Sequence, residues 1–319
     1  MKINTRSAIL GCALCLGALN LSKGDIDTMA TDNQPPADKH VYKKVGQREL
    51  TIEITSPENW KKGDRRPAIV YFFGGGWTNG TPEQFRPQAE YFAKRGLVCA
   101  RADYRVKSRD GVKPADCVED ARSAMRWVRA NAPMLGVDPD RIVSSGGSAG
   151  GHLAACVCFS EGVDADTDDL SVSPRPNAMI LYNPALDFIA FKESNLEKHA
   201  QGMDDETLRL ISPLRLVSGA TPPTLIVDGT SDFLYDQNKA FADKGKELGA
   251  PVEAYFADDQ PHGFFNASPW LEKTTQRADE FLQAIGYLAP EPKVPLPSKE
   301  RKAKTARPTR PDQRERKQR

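Results

Sequence analysis

Ile142-Val143-Ser144-Ser145-Gly146-Gly147-Ser148-Ala149-Gly150-Gly151 is a short apolar run that breaks into four glycines around a single Ser-Ala pair. The run reads as a buried strand, and Ala149 to Phe159, which continues it, reads as a helix. Glycine beside the serine has a steric reason: a turn this tight would drive any neighbouring side chain into the backbone. The pattern fits G-x-S-x-G between a strand and a helix, a context that lifts the Ser148 hydroxyl above the sheet. The N-terminus of the following helix then favours negative charge beside it.

Working outward from this turn, the hydrophobic period keeps switching between strand and helix, which predicts an α/β fold with a wound, mostly parallel sheet and helices on both faces. Ile52 to Ile54 reads as an early edge strand. Short apolar runs bounded by Gly, Pro or Asp predict buried strands at 68–73, 97–102, 142–145, 178–182, 224–227 and 252–256. Helices are predicted at 82–95, 114–131, 149–159, 235–248 and 271–285. In the second of these, Val118, Ala121, Ala124, Met125 and Val128 make one apolar face, with Arg122, Arg126 and Arg129 opposite. Residues 188–217 have no strand partner and read as a small insertion over the sheet.

The chain has 319 residues, 44 basic and 43 acidic, but the near cancellation hides an asymmetry. Residues 290–319 hold 11 basic and 4 acidic residues, leaving a body with a net charge of −6. An acidic body argues against a nucleic-acid-binding globule. With 27% charged and 8% aromatic residues, the composition is that of an ordinary globular chain. Lys2 and Arg6 ahead of the uncharged run 8–21 read as an export signal over residues 1–30, with Thr28-Met29-Ala30 as cleavage site. The expected location is secreted or periplasmic. The α/β domain is then 31–289, and 290–319 is expected to be a disordered basic tail. The tail reads either as solvated chain or as a tether to an anionic wall polymer or membrane surface. Outside the signal, Cys99, Cys117, Cys156 and Cys158 show no zinc-like spacing and read as small buried hydrophobes rather than a disulfide framework.

A serine needs a base, and the base needs an orienting carboxylate. Of four histidines, His40 precedes the sheet, His152 lies one turn into the helix after Ser148, and His199 lies in the insertion, where exposure is expected. His262 follows the last strand in Gln260-Pro261-His262-Gly263-Phe264 and is the candidate base. Asp232, in Gly229-Thr230-Ser231-Asp232 at the end of a strand, is the candidate carboxylate. Asp228 lies nearer the strand interior, Asp236 lies on the next helix, and Asp258 and Asp259 read as turn residues. Phe73-Gly74-Gly75-Gly76-Trp77 follows another buried strand, and its amides, with that of Ala149, are candidate oxyanion donors.

These four ordered motifs, together with Asp103-Tyr104-Arg105 and Pro222-Pro223-Thr224, resemble the α/β-hydrolase esterases of the hormone-sensitive-lipase-like group, including acetyl-esterase and feruloyl-esterase-like proteins. The resemblance covers about residues 52–285. It implies an α/β-hydrolase fold and a serine carboxylic ester hydrolase with Ser148, Asp232 and His262 as triad. Two of Gly74, Gly75 and Gly76 plus Ala149 would form the oxyanion hole, and neither metal nor organic cofactor would be needed. The expected substrate is a small-molecule or glycan ester with a short, acetyl-type acyl group. One position departs from the family, which usually has His where this chain has Phe73; that leaves the glycine-loop conformation open. An arylformamidase-like amide hydrolase shares the machinery, and an inactive hydrolase fold whose tail binds polyanions is the reading from outside the enzymes.

Overall fold

The computed structural model describes residues 38–290 and 293–298. The proposed signal segment and most of the proposed tail lie outside them. Eight strands form one sheet in the order β1-β2-β4-β3-β5-β6-β7-β8: β1 Lys39–Val45, β2 Arg48–Thr55, β3 Arg66–Phe72, β4 Val98–Ala102, β5 Val137–Gly147, β6 Ala178–Tyr182, β7 Thr224–Gly229 and β8 Val252–Ala257. The first two strands run antiparallel, and β3 to β8 are joined by parallel ladders. The longer helices are α1 Arg86–Lys94, α2 Pro114–Ala130, α3 Ala149–Phe159, α4 Tyr235–Glu247 and α5 Trp270–Ala284. Core residues of α2, α3 and α4 pack on one face of the sheet, and those of α1 and α5 on the other. The predicted α/β-hydrolase architecture is the one observed.

Two expectations at the sheet margin need correction. Ile52–Ile54 does not lie at the edge, because β1 pairs outside it. The β1 sequence Lys-His-Val-Tyr-Lys-Lys-Val carries too much charge to look like a strand, yet charge is what an exposed edge uses against pairing with another chain. Its Lys43 turns inward and meets the fully buried Asp120 at 2.7 Å. At the other end, Val294 and Leu296 pack against the core cluster under α5, so ordered packing continues past residue 289 into the segment assigned to the tail.

The arginine face of α2 is covered rather than solvated. Arg122 meets Asp164 at 2.6 Å, and Arg126 meets Asp164 at 2.7 Å and Asp168 at 2.9 Å. Both arginines are buried. The covering loop leads from α3 into β6, and its acids neutralise charges that helical spacing alone had placed outward. All four body cysteines are buried and free. Burial pushes the Cys156 and Cys158 thiols up to about 12, so they behave as small apolar side chains.

Candidate active site

The C-terminal ends of β3, β5, β7 and β8 converge on Ser148. The serine sits at φ +55°, ψ −118°, a backbone conformation held only because its surroundings dictate it. Gly150 shows what those surroundings demand. A Cβ there would lie 2.0 Å from the Phe72 carbonyl oxygen, so α3 can begin this close to β3 only on glycine. The Ser148 amide donates to the Tyr182 carbonyl at 2.8 Å, which pins the turn to β6.

His262 reaches over from the loop after β8. Its Nε2 lies 2.8 Å from Ser148 Oγ, and its Nδ1 lies 2.7 Å from Asp232 Oδ2. Asp232 can only accept, so Nδ1 carries the proton and Nε2 is left to receive the serine hydroxyl proton. The structure thus brings Ser148, His262 and Asp232 into one hydrogen-bonded line from three strand ends. Burial alone would raise the Asp232 pKa, but bonds from His262 and from the Leu234 amide outweigh it and hold the carboxylate below the ordinary value. Asp258 shows no bond into this line, and Asp259 uses its amide to close the turn against Thr230 at 2.9 Å.

Behind Asp232 lies a second carboxyl that sequence reading passed over. Asp228 is fully buried, and its acceptors take Asn238 Nδ2 at 2.6 Å and the Gly229 amide at 2.8 Å. Asn183 donates its side-chain amide to both Asp228 and Asp232, the latter at 2.5 Å. Burial first, and the neighbouring Asp232 charge second, raise the Asp228 pKa to about 7. Two adjacent carboxyls rarely ionise together in a dry site, so below about pH 7 the outer one carries the charge and the inner one holds the proton. The clue in the sequence was Asn183-Pro184 immediately after a strand, a turn signal at the sheet end where functional groups gather.

The glycine loop answers the question that Phe73 raised. The Phe73 ring stacks on Tyr104 at 4.0 Å, and the Tyr104 hydroxyl donates to the Phe73 carbonyl at 2.6 Å. The Gly74 amide donates to Gln84 Oε1 at 2.6 Å, while Gln84 Nε2 donates to Asn266 Oδ1 at 2.9 Å. Asn266 in turn donates to the carbonyl of Gly263, the residue after His262, at 2.9 Å. Bracing is therefore supplied by Tyr104 and Gln84, and the second of these ties the loop to the histidine turn. It also narrows the donor set: the Gly74 amide is already committed, whereas those of Gly75, Gly76 and Ala149 have no hydrogen-bond acceptor among the described residues.

Trp77 closes the back of the loop. Its indole Nε1–H donates to His152 Nδ1 at 3.1 Å, and His152 Nε2 lies 2.8 Å from the Ile211 carbonyl. Burial lowers the His152 pKa to about 4, which keeps the ring neutral and able to accept at Nδ1. It is a packing and bracing residue, as its place on the helix suggested. His199, expected to be exposed, is half-buried against Trp77 at 5.2 Å, because the 188–217 segment folds back onto the loop. Phe233 stands at the mouth, 64% exposed, its ring 4.6 Å from that of His262.

Comparison with known proteins finds esterases. A family profile described as BD-FAE matches residues 52–244. Esterase LipQ of Mycobacterium tuberculosis is 28% identical over 75% of this chain, and the match spans 60% of LipQ. Carboxylesterase NlhH of the same species is 28% identical over 70% of this chain and 74% of its own length. Among solved structures, the propionate-bound thermophilic esterase Est2 of Thermogutta terrifontis is 45% identical with a TM-score of 0.76, covering 81% of this chain and 97% of Est2.

Proposed function

Because the chain belongs to the BD-FAE family and is a hormone-sensitive-lipase-like α/β-hydrolase esterase, we propose that it cleaves short-chain, acetyl-type carboxylic esters through Ser148, His262 and Asp232. The observation that carries this reading is the line Ser148 Oγ, His262 Nε2, His262 Nδ1, Asp232 Oδ2, with contacts of 2.8 and 2.7 Å. His262 takes the serine proton as Oγ attacks the ester carbonyl. Asp232 stabilises the imidazolium so formed and fixes the ring orientation. The amides of Gly75, Gly76 and Ala149 receive the developing oxyanion, where fixed donors stabilise charge without having to reorganise. His262 then hands its proton to the departing alcohol, leaving an acyl group on Ser148. Water activated by the same imidazole releases the acid and restores the enzyme.

Two features favour a short acyl group. The described residues ahead of β3, 39–55, form a β-hairpin at the sheet margin, and the related Est2 has been solved with propionate bound. Export to the periplasm or outside the cell, with an acetylated glycan as natural ester, rests on the signal-like N-terminus and extends the same proposal. Hydrolysis of 4-nitrophenyl acetate, butyrate and octanoate by wild type and Ser148→Ala tests it. Turnover should fall from acetate to octanoate and vanish in the variant. Activity that survives Ser148→Ala would sink the assignment of the nucleophile.

A further inference from the structure

Beside the glycine loop lies a cavity of about 340 Å³ whose lining includes Gly76, Trp77, Lys107, Lys113, Lys198 and His199. Its charge is one-sided. Three lysines and a histidine face it and no carboxylate does, whereas the cavities lined by Glu53 and Arg86, by Arg105 and Asp164, and by Arg126 and Asp168 mix both signs. Lys113 is partly answered, since its ammonium donates to the Gly202 carbonyl and lies near Asp204. Lys107 and Lys198 have no carboxylate within ion-pair distance among the described residues. Both stand close enough to His199 to disfavour its protonation, after burial, which is the larger cause. Uncompensated cations gathered in a concave wall focus positive potential into it.

The cavity shares the glycine loop with the reaction centre. Gly76, one of the two free loop amides, forms its wall, and a Cβ at Gly76 would lie 3.6 Å from His199 Cε1. Two residues earlier, a Cβ at Gly74 would lie 3.3 Å from the Ser148 Cβ. One face of the glycine loop thus meets Ser148 and its next turn meets the lysine-lined wall.

Resting on the esterase reading above, we propose that this cavity is a subsite for a carboxylate carried by the ester substrate. The preferred ester is anionic, and Lys107 and Lys198 hold the charged end while the glycine loop holds the reacting end. The carboxylate is on either the acid or the alcohol half, and two substrate pairs separate the sources. Monoethyl succinate against ethyl butyrate places the charge on the acid half; 4-acetoxybenzoate against its methyl ester places it on the alcohol half.

At low ionic strength the anionic member of one pair should show the higher kcat/KM. That ratio should drop about fivefold in Lys107→Gln and again in Lys198→Gln, and should shrink in 0.5 M NaCl, where the screening length falls to a few ångströms. A ratio indifferent to both lysines in both pairs overturns the proposal. Calorimetric titration of Ser148→Ala with monoethyl succinate and with 4-acetoxybenzoate gives a readout that needs no turnover. Binding of one of them, weakened by adding Lys107→Gln and Lys198→Gln, supports the subsite; no binding, or binding unaffected by these changes, overturns it. Failure to hydrolyse any of the neutral esters would count against the esterase reading alone.

Discussion

Gln84 offers the sharpest test of how the glycine loop is held. Its Oε1 takes the Gly74 amide at 2.6 Å and its Nε2 reaches Asn266 at 2.9 Å, so Gln84→Leu keeps the bulk and removes both bonds. Leaving a donor and an acceptor unmatched costs about 1–3 kcal/mol when water is excluded. Gly74 and Gln84 are only partly buried, so about 1–2 kcal/mol is the fitting range. The Gly75 and Gly76 amides follow directly from Gly74, so a slack loop misplaces donors that matter only once charge develops on the ester oxygen. At tenfold per 1.36 kcal/mol, kcat should drop about 5- to 30-fold, short of the 10²–10³ expected when an oxyanion donor is deleted outright. An interaction made in the transition state alone lowers kcat and kcat/KM together, so KM should move by less than about threefold. Gln84→Glu keeps an acceptor for Gly74 but loses the donor to Asn266 and brings negative charge toward the oxyanion, so it too should be slower than wild type. Steady-state kinetics on 4-nitrophenyl acetate, with circular dichroism to confirm folding, is the assay. A folded Gln84→Leu enzyme with kcat within about twofold of wild type would refute the bracing argument, as would a loss confined to KM.

Three further outcomes follow from the same contacts. The Asp228 pKa is raised, so its contribution to stability is complete below the ordinary aspartate value and is lost as pH rises through about 7. Asp228→Asn, which mimics the protonated acid and can meet the unpaired Asn238 Oδ1, should therefore gain on wild type by about 2 kcal/mol between pH 5.5 and 8.5 in thermal melts, and a pH-independent difference would contradict it. Gly150→Ala should fail to give soluble folded protein or should melt far below wild type, because its Cβ would sit 2.0 Å from the Phe72 carbonyl oxygen; a melting temperature close to wild type would contradict the close approach of α3 to β3. Arg126→Ala strands Asp168 and half of Asp164 beside α2 and should cost about 3 kcal/mol in urea unfolding, whereas a surface pair would cost less than about 1.

What could be read from sequence was whatever local sterics impose. The elbow was legible because a strand, a strained serine and a helix in immediate succession leave room only for small neighbours such as Gly147, Ala149 and Gly150, and the short strands were legible because a parallel sheet covered on both faces needs continuous apolar runs. β1 was missed for the converse reason. An edge strand is stabilised along one side only and is protected by charge, so its composition imitates a loop. The α2 arginines were placed outward because helical periodicity reports which face is polar, not whether another segment brings acids to meet it.

The bracing network was beyond reach for a different reason. Gln84 lies 10 residues from the amide it holds and 182 from the side chain it donates to, and Asn183 lies 45 and 49 residues from the two carboxyls it joins. No periodicity or spacing rule couples positions so far apart; only the crossing of strand ends brings them together. The same crossing explains how Phe73 can stand where the pattern of the resembled family has histidine. A loop whose first amide is held from Gln84, and whose preceding carbonyl is held from Tyr104, no longer depends on the side chain at position 73. That position is then free to serve the core by stacking on Tyr104. The departure from the family pattern is thus matched by a different support for the loop, through Tyr104 and Gln84.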